Sequence, residues 1–530
     1  MKKTTMILLT IVLACGVVGC SGEKTGVKSN GKSIMIYAQK NGLGDDWLLN
    51  AAKAYESKTG TKVNVEFDAF LSTNITSTLE TSSVEVGDLY YVQTGEWSRW
   101  AMKDNLVADL TEFMNEEGED GKSLNERAKL ATHFVYKEDG SKKQVIVPLE
   151  ASSRCLVYNK KMMNYICQEV LGWDDEHAYP VNTKELKEVI AVLETIQTNG
   201  EKKELFTYTQ DGQTQDVEAF VWSGSTGMLE FFTLSWIYQY LGETGMTDFY
   251  NQWDNCDMLK HDAFYIAYQE MVDLLALEKD AKGTYYSTTS IPNCISYNHT
   301  AAQSQFLMNK ALMCPTGSWF YSEMESTITD VDNLGYMPIP WLSDDAGNPL
   351  TDEGVEMPKD DKGNYLSIQG AAGPDFFVIP ARSEKQEDAK DFLHFMFSTE
   401  YMPNLLNDIQ TPLAFEFDDS SCEKTAWYHE LEQAAAKMYV MDVWTGSKLQ
   451  SYSLIGFYSN PMIAPHAQLS LCQFGSNDKL VDSATGKKIK DASEATGIAV
   501  TENVYNYVTN NWKKARDGWQ DNLRIVGGKN

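Results

Sequence analysis

Short apolar runs alternate with amphipathic stretches along the first part of the chain. Residues 34–37 form an apolar run, and residues 45–58 repeat apolar positions with a helical period. Residues 63–67 then alternate as a strand does, and residues 89–92 form another run typical of a buried strand. Strands separated by helical patterns predict a mostly parallel sheet that helices cover on both faces.

The same alternation continues after residue 150 and predicts a second α/β region. Residues 155–158 are typical of a strand, and Asn182 begins a helical pattern with a capping box. Residues 311–314 form a strand that leads directly to Trp319 at the start of a further helix. A last apolar run, at residues 376–379, precedes another amphipathic helix.

Polar side chains occupy the loops that follow several of the predicted strands. In open α/β sheets, ligands bind beyond the carboxyl ends of the strands. Amides and carboxylates there can pair with hydroxyl groups as donors and acceptors, although a solvated loop or a helix cap is an equally good interpretation of each one. The candidates in these loops are Gln39, Asn41, Thr94, Glu96, Glu150 and Ser152.

Aromatic residues make up 12% of the chain, more than a core needs, and flat rings are suited to lining a groove. Trp319 is the best candidate, because a strand-to-helix corner beside small residues can present its face to a sugar ring. Packing in the core is the alternative for Trp319. For the weaker candidates core or rim packing is the better interpretation; these are Trp97, Trp222, Tyr285, Tyr286 and Trp444.

Residues 1–19 predict a bacterial lipoprotein signal peptide. Two lysines begin the segment, an apolar run follows, and small residues lead to Cys20. The run is too short to remain as a membrane-spanning helix, so we expect it to be removed. The mature protein would then begin at Cys20, carry lipid including palmitate there, and work outside the cytoplasm, with residues 20–32 as a tether. An ordinary secretory signal with an incidental cysteine is the alternative.

The formal net charge is −30, and no basic block interrupts the acidic surface. Such a surface repels nucleic acid and favours a soluble monomer. No second stretch approaches the length and apolarity of a membrane span. We therefore expect no nucleic-acid partner, and membrane contact only through the lipid on Cys20.

The chain shows no motif for a metal ion or a cofactor. Seven cysteines remain besides Cys15 and Cys20, and none has the spacing of a zinc site. An odd number leaves at least one thiol free, while one disulfide is possible. The acidic loop near Asp344 lacks the regular spacing of a calcium loop, and glycines 42 and 44 do not complete a dinucleotide fingerprint.

Four segments are more specific when they are taken in order beside Cys20. They are 51–63 (AAKAYESKTGTKV), 87–110 (beginning GDLYYV and ending NLVADL), 147–160 (ending LVYNK) and 306–393 (with NKALM, GSW and FVIP). In this order they resemble the family 1 extracellular solute-binding proteins. Those are carbohydrate-capturing lipoproteins of ABC importers, similar to maltose-binding protein.

The resemblance implies a two-lobe α/β fold of the periplasmic-binding-protein kind, with ligand held in a cleft between the lobes. Carried onto this chain, lobe one takes residues 31–150 plus 366–420, and lobe two takes 151–365 plus 421–530. It further implies delivery of a carbohydrate, an oligosaccharide, to an ABC permease on the outer face of the cell membrane. The chain departs from the family pattern in its length and at residues 371–373, where the family often has a glycine pair.

An enzyme is the competing class of function. Glu96 and Glu150 could serve as the paired carboxylates of a glycoside hydrolase. Their sequence setting supports this only in that both lie near the predicted cleft, so binding without turnover is the preferred hypothesis. A surface adhesin or scaffold, which would lack a closing cleft, is a third possibility.

Overall fold

The computed structural model describes residues 30–441 of the protein, apart from 94–96, 102–105, 130–134, 137–140, 152, 225–227, 252–260, 280–284 and 371–374. The predicted signal peptide, Cys20, most of the predicted tether and the C-terminal part of predicted lobe two lie outside the described residues. So do four of the candidate ligand contacts, which the next subsection names.

Strands occur throughout the described residues. They are β1 (Ser33–Gln39), β2 (Lys62–Asp68), β3 (Leu89–Val92), β4 (Val135–Tyr136), β5 (Lys142–Lys143), β6 (Val147–Pro148), β7 (Arg154–Asn159), β8 (Thr207–Gln210), β9 (Gln213–Asp216), β10 (Glu218–Phe220), β11 (Leu277–Lys279), β12 (Tyr285–Ser287), β13 (Ala311–Gly317), β14 (Leu334–Pro338), β15 (Ser367–Gly370), β16 (Phe376–Val378) and β17 (Met438–Met441).

Helices separate most of these strands, and Gly242 kinks the longest of them. The α-helices are α1 (Asp46–Thr59), α2 (Leu71–Glu80), α3 (Trp97–Ala101), α4 (Thr111–Asn115), α5 (Leu124–Arg127), α6 (Lys160–Asn164), α7 (Thr183–Asn199), α8 (Glu230–Asn251), α9 (Asp262–Leu275), α10 (His299–Leu307), α11 (Phe320–Met324), α12 (Gln386–Met396), α13 (Met402–Ile409) and α14 (Ala426–Ala435).

The first sheet has the strand order β2-β1-β3-β16-β6. Strand β1 runs parallel to β2 and β3, whereas β16 runs antiparallel to both β3 and β6. Helix α1 turns Trp47, Leu48, Ala51 and Tyr55 toward the same core as Ile34 and Ile36 of β1. Helices α12 and α13 pack beside α1 and complete this side of the core.

The second sheet has the order β10-β13-β7-β14. Strand β13 is parallel to β10 and antiparallel to β7, which is in turn antiparallel to β14. Every residue of β13 is buried, as expected for an inner strand with helices on its faces. Helix α10 packs on β13, and α14 packs on β14.

The two-lobe α/β architecture predicted from the sequence is confirmed, but the sheets are mixed rather than mostly parallel. The chain leaves the first sheet after β6, enters the second with β7, and comes back to the first with β16. Strands that arrive from the other lobe enter from the opposite end of the sheet. Both β7 and β16 therefore lie antiparallel to their neighbours.

Two connecting segments run side by side between the sheets. Glu150 forms a bridge with Leu413. The amide of Ala414 donates to the carbonyl of Leu149 (3.1 Å), and the amide of Ala151 donates to Pro412 (2.8 Å). Strand β15 pairs with β17 and packs on α8. The sequence boundaries of the two lobes stay a prediction.

The described residues were also compared with the requirements of disulfides, metal sites and membrane-spanning helices. Five cysteines are free thiols there, four of them buried: Cys155, Cys167, Cys294, Cys314 and Cys422. No group of three or more His, Cys, Asp and Glu side chains in the described ranges is placed to hold a metal ion. No helix within them has the length and apolarity needed to cross a membrane.

Candidate ligand-binding cleft

Gln39, at the end of β1, connects neighbouring loops of the first sheet. Its side-chain amide donates to the carbonyl of Ala69 (2.8 Å), and its Oε1 accepts from the amide of Ser72 (2.8 Å). The residue is buried, with 7% of its surface exposed. Gln39 therefore fixes the loop that follows β2, and its hydrogen-bonding groups are already occupied.

Asn41 lies two residues further on and joins a buried polar cluster. Its Nδ2 donates to the hydroxyl of Tyr91 (2.9 Å) and to Oδ2 of Asp375 (2.6 Å). Tyr91 donates to the same carboxylate oxygen (2.8 Å). Asp375 directly precedes β16, which pairs with β3, so the fold brings it to the carboxyl ends of β1 and β3.

Glu150 also belongs to this polar cluster, because it is buried and lies close enough to Asp375 for their charges to interact. Only 5% of the residue is exposed, and its Oε2 has no hydrogen-bond partner within the part of the chain that the structure describes. Burial, and then the nearby charge of Asp375, raise the pKa of Glu150 well above its ordinary value. Burial raises the pKa of Asp375 to about 7, against the hydrogen bonds from Tyr91 and Asn41, which lower it.

The two carboxyl groups consequently hold protons to higher pH than exposed acids do. A protonated carboxyl group offers one donor as well as acceptor capacity, whereas an ionised one only accepts. Its unpartnered oxygen makes Glu150 the member of the cluster best able to meet a polar group of a ligand. Asn41, Tyr91 and Asp375 are bonded to one another and hold the site in shape.

Trp319 reaches the first lobe from the second sheet. It lies two residues after the end of β13, and its partly buried ring packs against the core of the first lobe. The ring stands edge-on to Phe231, with centroids 6.3 Å apart and planes at 80°. A Cβ atom added to Gly317 would lie 2.1 Å from the indole, so the absence of a side chain there is what lets the ring lie over the end of β13.

The two lobes also meet beside Trp319, where the loop after β1 reaches α11. A Cβ atom on Gly42 would lie 3.1 Å from Cβ of Glu323, so only a small residue fits without movement. Oε1 of Glu323 lies 2.8 Å from Nε2 of His299, and this hydrogen bond raises the pKa of His299. The cleft is thus bounded by the 40–44 loop on one side and by the residues after β13 on the other.

Two of the predicted aromatic contacts lie in the core. Trp97 is 3% exposed and Trp222 is 5% exposed, and Nε1 of Trp222 donates to Oγ of Ser290 (3.1 Å). The rings of both therefore offer little surface to a ligand in this conformation. Tyr285 and Tyr286 lie in β12 and pair with β11 through their backbones. The remaining candidates lie outside the described residues: Thr94, Glu96, Ser152, Trp444 and the predicted lipidation site Cys20.

Sequence reasoning missed Tyr91, Asp375 and Phe231. Tyr91 lies within an apolar run, where core packing is the ordinary interpretation. Asp375 is separated from Tyr91 by 284 residues, and only the pairing of β16 with β3 brings the two together. The signal available beforehand was a single carboxylate at the beginning of a predicted strand, which is too common to indicate a site.

Two other cavities lie at the far end of the second lobe. One of about 320 Å³ is lined in part by Asn159, Lys161 and Asp330, and one of about 510 Å³ in part by Tyr208, Gln215 and Lys310. Asn159 ends β7 and Lys310 precedes β13, whereas the cleft lies at the beginning of β7 and the end of β13. Both cavities are therefore separate from the cleft.

The chain belongs to the bacterial extracellular solute-binding protein family, whose pattern it matches over residues 50–415. It is similar to the diacetylchitobiose binding protein DasA of Streptomyces coelicolor, with 29% identity over 160 residues. That stretch covers 29% of this chain and 35% of the relative, so the similarity spans about a third of that curated protein's length.

Solved structures of sugar-binding proteins share the fold. A solute-binding protein RafE in complex with raffinose has a TM-score of 0.55 at 16% identity, covering 90% of this chain and 98% of that one. A chitin oligosaccharide binding protein has a TM-score of 0.56 at 13% identity, covering 91% and 99%. The GacH receptor of Streptomyces glaucescens, solved unliganded and with acarbose, has a TM-score of 0.53 at 14% identity, covering 90% and 98%.

Proposed function

We propose that this protein captures a carbohydrate, an oligosaccharide, in the cleft between its lobes and delivers it to the permease of an ABC importer. Two observations carry the proposal: the partly buried Trp319 ring packs against the core of the first lobe, and a buried cluster of Asn41, Tyr91, Glu150 and Asp375 lies at the strand-end edge of the sheet in that lobe. Family membership supports a binding role, and relatives that are named for diacetylchitobiose, raffinose and acarbose support a sugar.

A sugar needs an apolar surface and a polar surface in the same site. The C–H face of a pyranose is apolar and matches the flat indole of Trp319, while its hydroxyl groups need fixed donors and acceptors. Glu150 supplies a buried oxygen with a free hydrogen-bonding position. We infer that Trp319 and Glu150 contact the ligand directly and that Asp375 positions Asn41. Thr94, Glu96, Ser152, Tyr286 and Trp444 stay predicted contacts.

We further propose that the protein binds without turnover. Hydrolysis of a glycosidic bond needs two carboxyl groups placed on either side of it. Glu150 and Asp375 instead lie in one cluster on the first lobe, where Tyr91 and Asn41 both donate to Asp375. This arrangement is suited to holding a hydroxyl group rather than to flanking a bond.

The place of action forms part of the proposal. Residues 1–19 would be removed as a signal, Cys20 would carry the lipid, and residues 20–32 would connect the lobes to the outer face of the cell membrane. The folded part would act there as a monomer. The family's extracellular role agrees with this location. Metabolic labelling with a palmitate analogue tests the anchor, because Cys20→Ala should abolish incorporation.

A calorimetric screen of the mature chain without its lipidated Cys20, which is the soluble fragment from Ser21, tests the function. We expect saturable binding to at least one oligosaccharide among diacetylchitobiose, longer chitin oligosaccharides, raffinose and maltodextrins. Chromatography of the same samples after a day should return the sugar unchanged. Binding followed by cleavage would support the glycoside hydrolase instead, and no binding to any sugar of the screen would contradict the proposal.

A further inference from the structure

Phe70 is the most exposed large apolar side chain of the described residues. Its exposed fraction is 69%, against 54% for Met308 and 38–47% for the others. It lies two residues after β2 and directly before α2. A single exposed apolar residue needs no explanation by itself, so what matters is where the fold places this ring and how firmly its backbone is held.

The backbone around Phe70 is fixed by neighbouring loops of the cleft. The amide of Phe70 donates to Oδ1 of Asp68 (2.8 Å), and Gln39 bonds both Ala69 and Ser72. The amide of Gln93, directly after β3, donates to Oγ of Ser72 (3.2 Å). The exposed ring is therefore carried by a corner that is hydrogen-bonded to the ends of β1 and β3.

The order of strands in the first sheet places this corner at one end of the cleft. Glu150 follows β6, Asp375 precedes β16, Asn41 follows β1 and Phe70 follows β2, all at the same edge of the sheet. Strands β6 and β2 are four intervals apart, which is roughly 19 Å at about 4.8 Å per strand. The polar cluster spans the edge from Glu150, after β6, to Asn41, after β1, and the exposed Phe70 ring lies one strand beyond Asn41, at the end of the edge opposite Glu150.

We propose that Phe70 forms a distal subsite, on which an outer pyranose ring of a longer oligosaccharide stacks while the inner rings occupy the cleft around Glu150 and Trp319. The proposal rests on the proposed function and extends it to the length of the ligand. A neutral sugar ring is the occupant, because its apolar C–H face matches an aromatic ring while its hydroxyl groups stay in water. A disaccharide held at Glu150, four strand intervals from β2, would not reach Phe70.

The test measures affinity for two sugars of one series, diacetylchitobiose and chitopentaose, by calorimetry on the mature chain. We expect Phe70→Ala to weaken chitopentaose binding by roughly 5- to 100-fold, by analogy with aromatic stacking of other flat ligands. Diacetylchitobiose binding should not change. Phe70→Trp should retain the affinity for chitopentaose, and Met308→Ala, which removes another exposed side chain, should alter neither sugar.

The outcomes separate the subsite from the function on which it rests. If the wild type binds chitopentaose and Phe70→Ala binds it equally well, the distal subsite is wrong while sugar capture stands. An equal loss for both sugars would also overturn it, because Phe70 would then act on the inner site. If the wild type binds neither chitin sugar, the same pair of lengths is measured in the series that the screen finds. A wild type that binds no sugar at all overturns both proposals.

Discussion

At the scale of single residues, Trp319 and Glu150 differ in what holds them in place. Trp319 is set by packing, because its ring lies over Gly317 and edge-on to Phe231. Glu150 is set by the backbone bridge to Leu413 in the neighbouring connecting segment, and one of its carboxyl oxygens keeps no partner among the described residues. A ligand can form a hydrogen bond with that oxygen. Removal of the Glu150 carboxyl group should therefore weaken ligand binding more than it lowers the stability of the fold.

Trp319→Ala should weaken sugar binding by about 1–3 kcal/mol, by analogy with the stacking of flat ligands on aromatic rings. The ring is only partly buried, so the loss of unfolding free energy should be smaller than the roughly 3–5 kcal/mol expected for a core tryptophan. Calorimetry and thermal unfolding of one sample measure both. Trp222→Phe is the matched control, since Trp222 lies in the core: it should lose stability and keep its affinity. Lost stability with unchanged affinity in Trp319→Ala would assign that ring to the core.

The buried acid Asp375 predicts a dependence of stability on pH. Its pKa is raised to about 7 in the folded state, so folding favours the protonated acid. The stabilisation is fully present below the pKa of the unfolded chain, near 4, and is lost as the pH rises through about 7. Asp375→Asn, which stays neutral, should gain thermal midpoint relative to the wild type between pH 5 and pH 8. A midpoint difference that is constant across this range would show that Asp375 ionises in the folded state as an exposed acid does.

At the scale of elements, the end of β13 and the beginning of α11 form one unit with the Trp319 ring. Strand β13 is buried along its length, and its last residue, Gly317, leaves the space into which the ring folds back. The amide of Ser318 donates to the carbonyl of Ser153 (3.0 Å), which ties this corner to the first connecting segment. The position of the ring therefore depends on the strand and the connection together.

Gly317→Ala should displace the Trp319 ring, because the new methyl group would lie 2.1 Å from it. We expect a loss of about 1–3 kcal/mol of unfolding free energy, as for other overpacked sites, together with weaker sugar binding. A double-mutant cycle supplies the control. In a Trp319→Ala background the same change at Gly317 should cost little, since the obstructing ring is gone. If Gly317→Ala lowers the unfolding free energy equally in both backgrounds, the new methyl group clashes with another part of β13 and not with the Trp319 ring.

At the scale of the whole molecule, two sheets are joined by segments that run side by side. Residues 149–151 bond to residues 412–414, while the 40–44 loop and α11 meet across the cleft at Gly42 and Glu323. Few connections between large lobes favour bending about the connections when a ligand is captured. Sugar held between Trp319 and Glu150 would contact both lobes and draw them together.

X-ray scattering tests this closure on the mature chain. The radius of gyration should fall when the sugar identified by calorimetry is added to saturation. A Glu150→Ala variant that no longer binds at the same concentration should show no change, which separates closure from a general effect of sugar on the solvent. An unchanged radius for the saturated wild type would indicate a rigid scaffold.

The sequence by itself determined the local elements and the class of fold. The periodicity of residues 45–58 and the apolar runs that became β1, β3 and β13 depend on neighbours in the chain, so they could be recognised without the structure. The ordered segments around residues 51–63 and 147–160 indicated the family, which the match over 50–415 confirmed. Asn41, Glu150 and Trp319 could be named as candidate site residues because ligands bind beyond the strand ends in folds of this class.

Only the tertiary structure decided the direction of the strands and the composition of the cleft. Strands β7 and β16 are antiparallel to their neighbours because they arrive from the other lobe, a fact that no local pattern encodes. Trp97 and Trp222 resemble Trp319 in residue type, yet packing buries the first two and leaves the third at the cleft. Tyr91 and Asp375 meet across 284 residues of sequence. Burial and long-range contact belong to the assembled fold, and sequence patterns report only near neighbours.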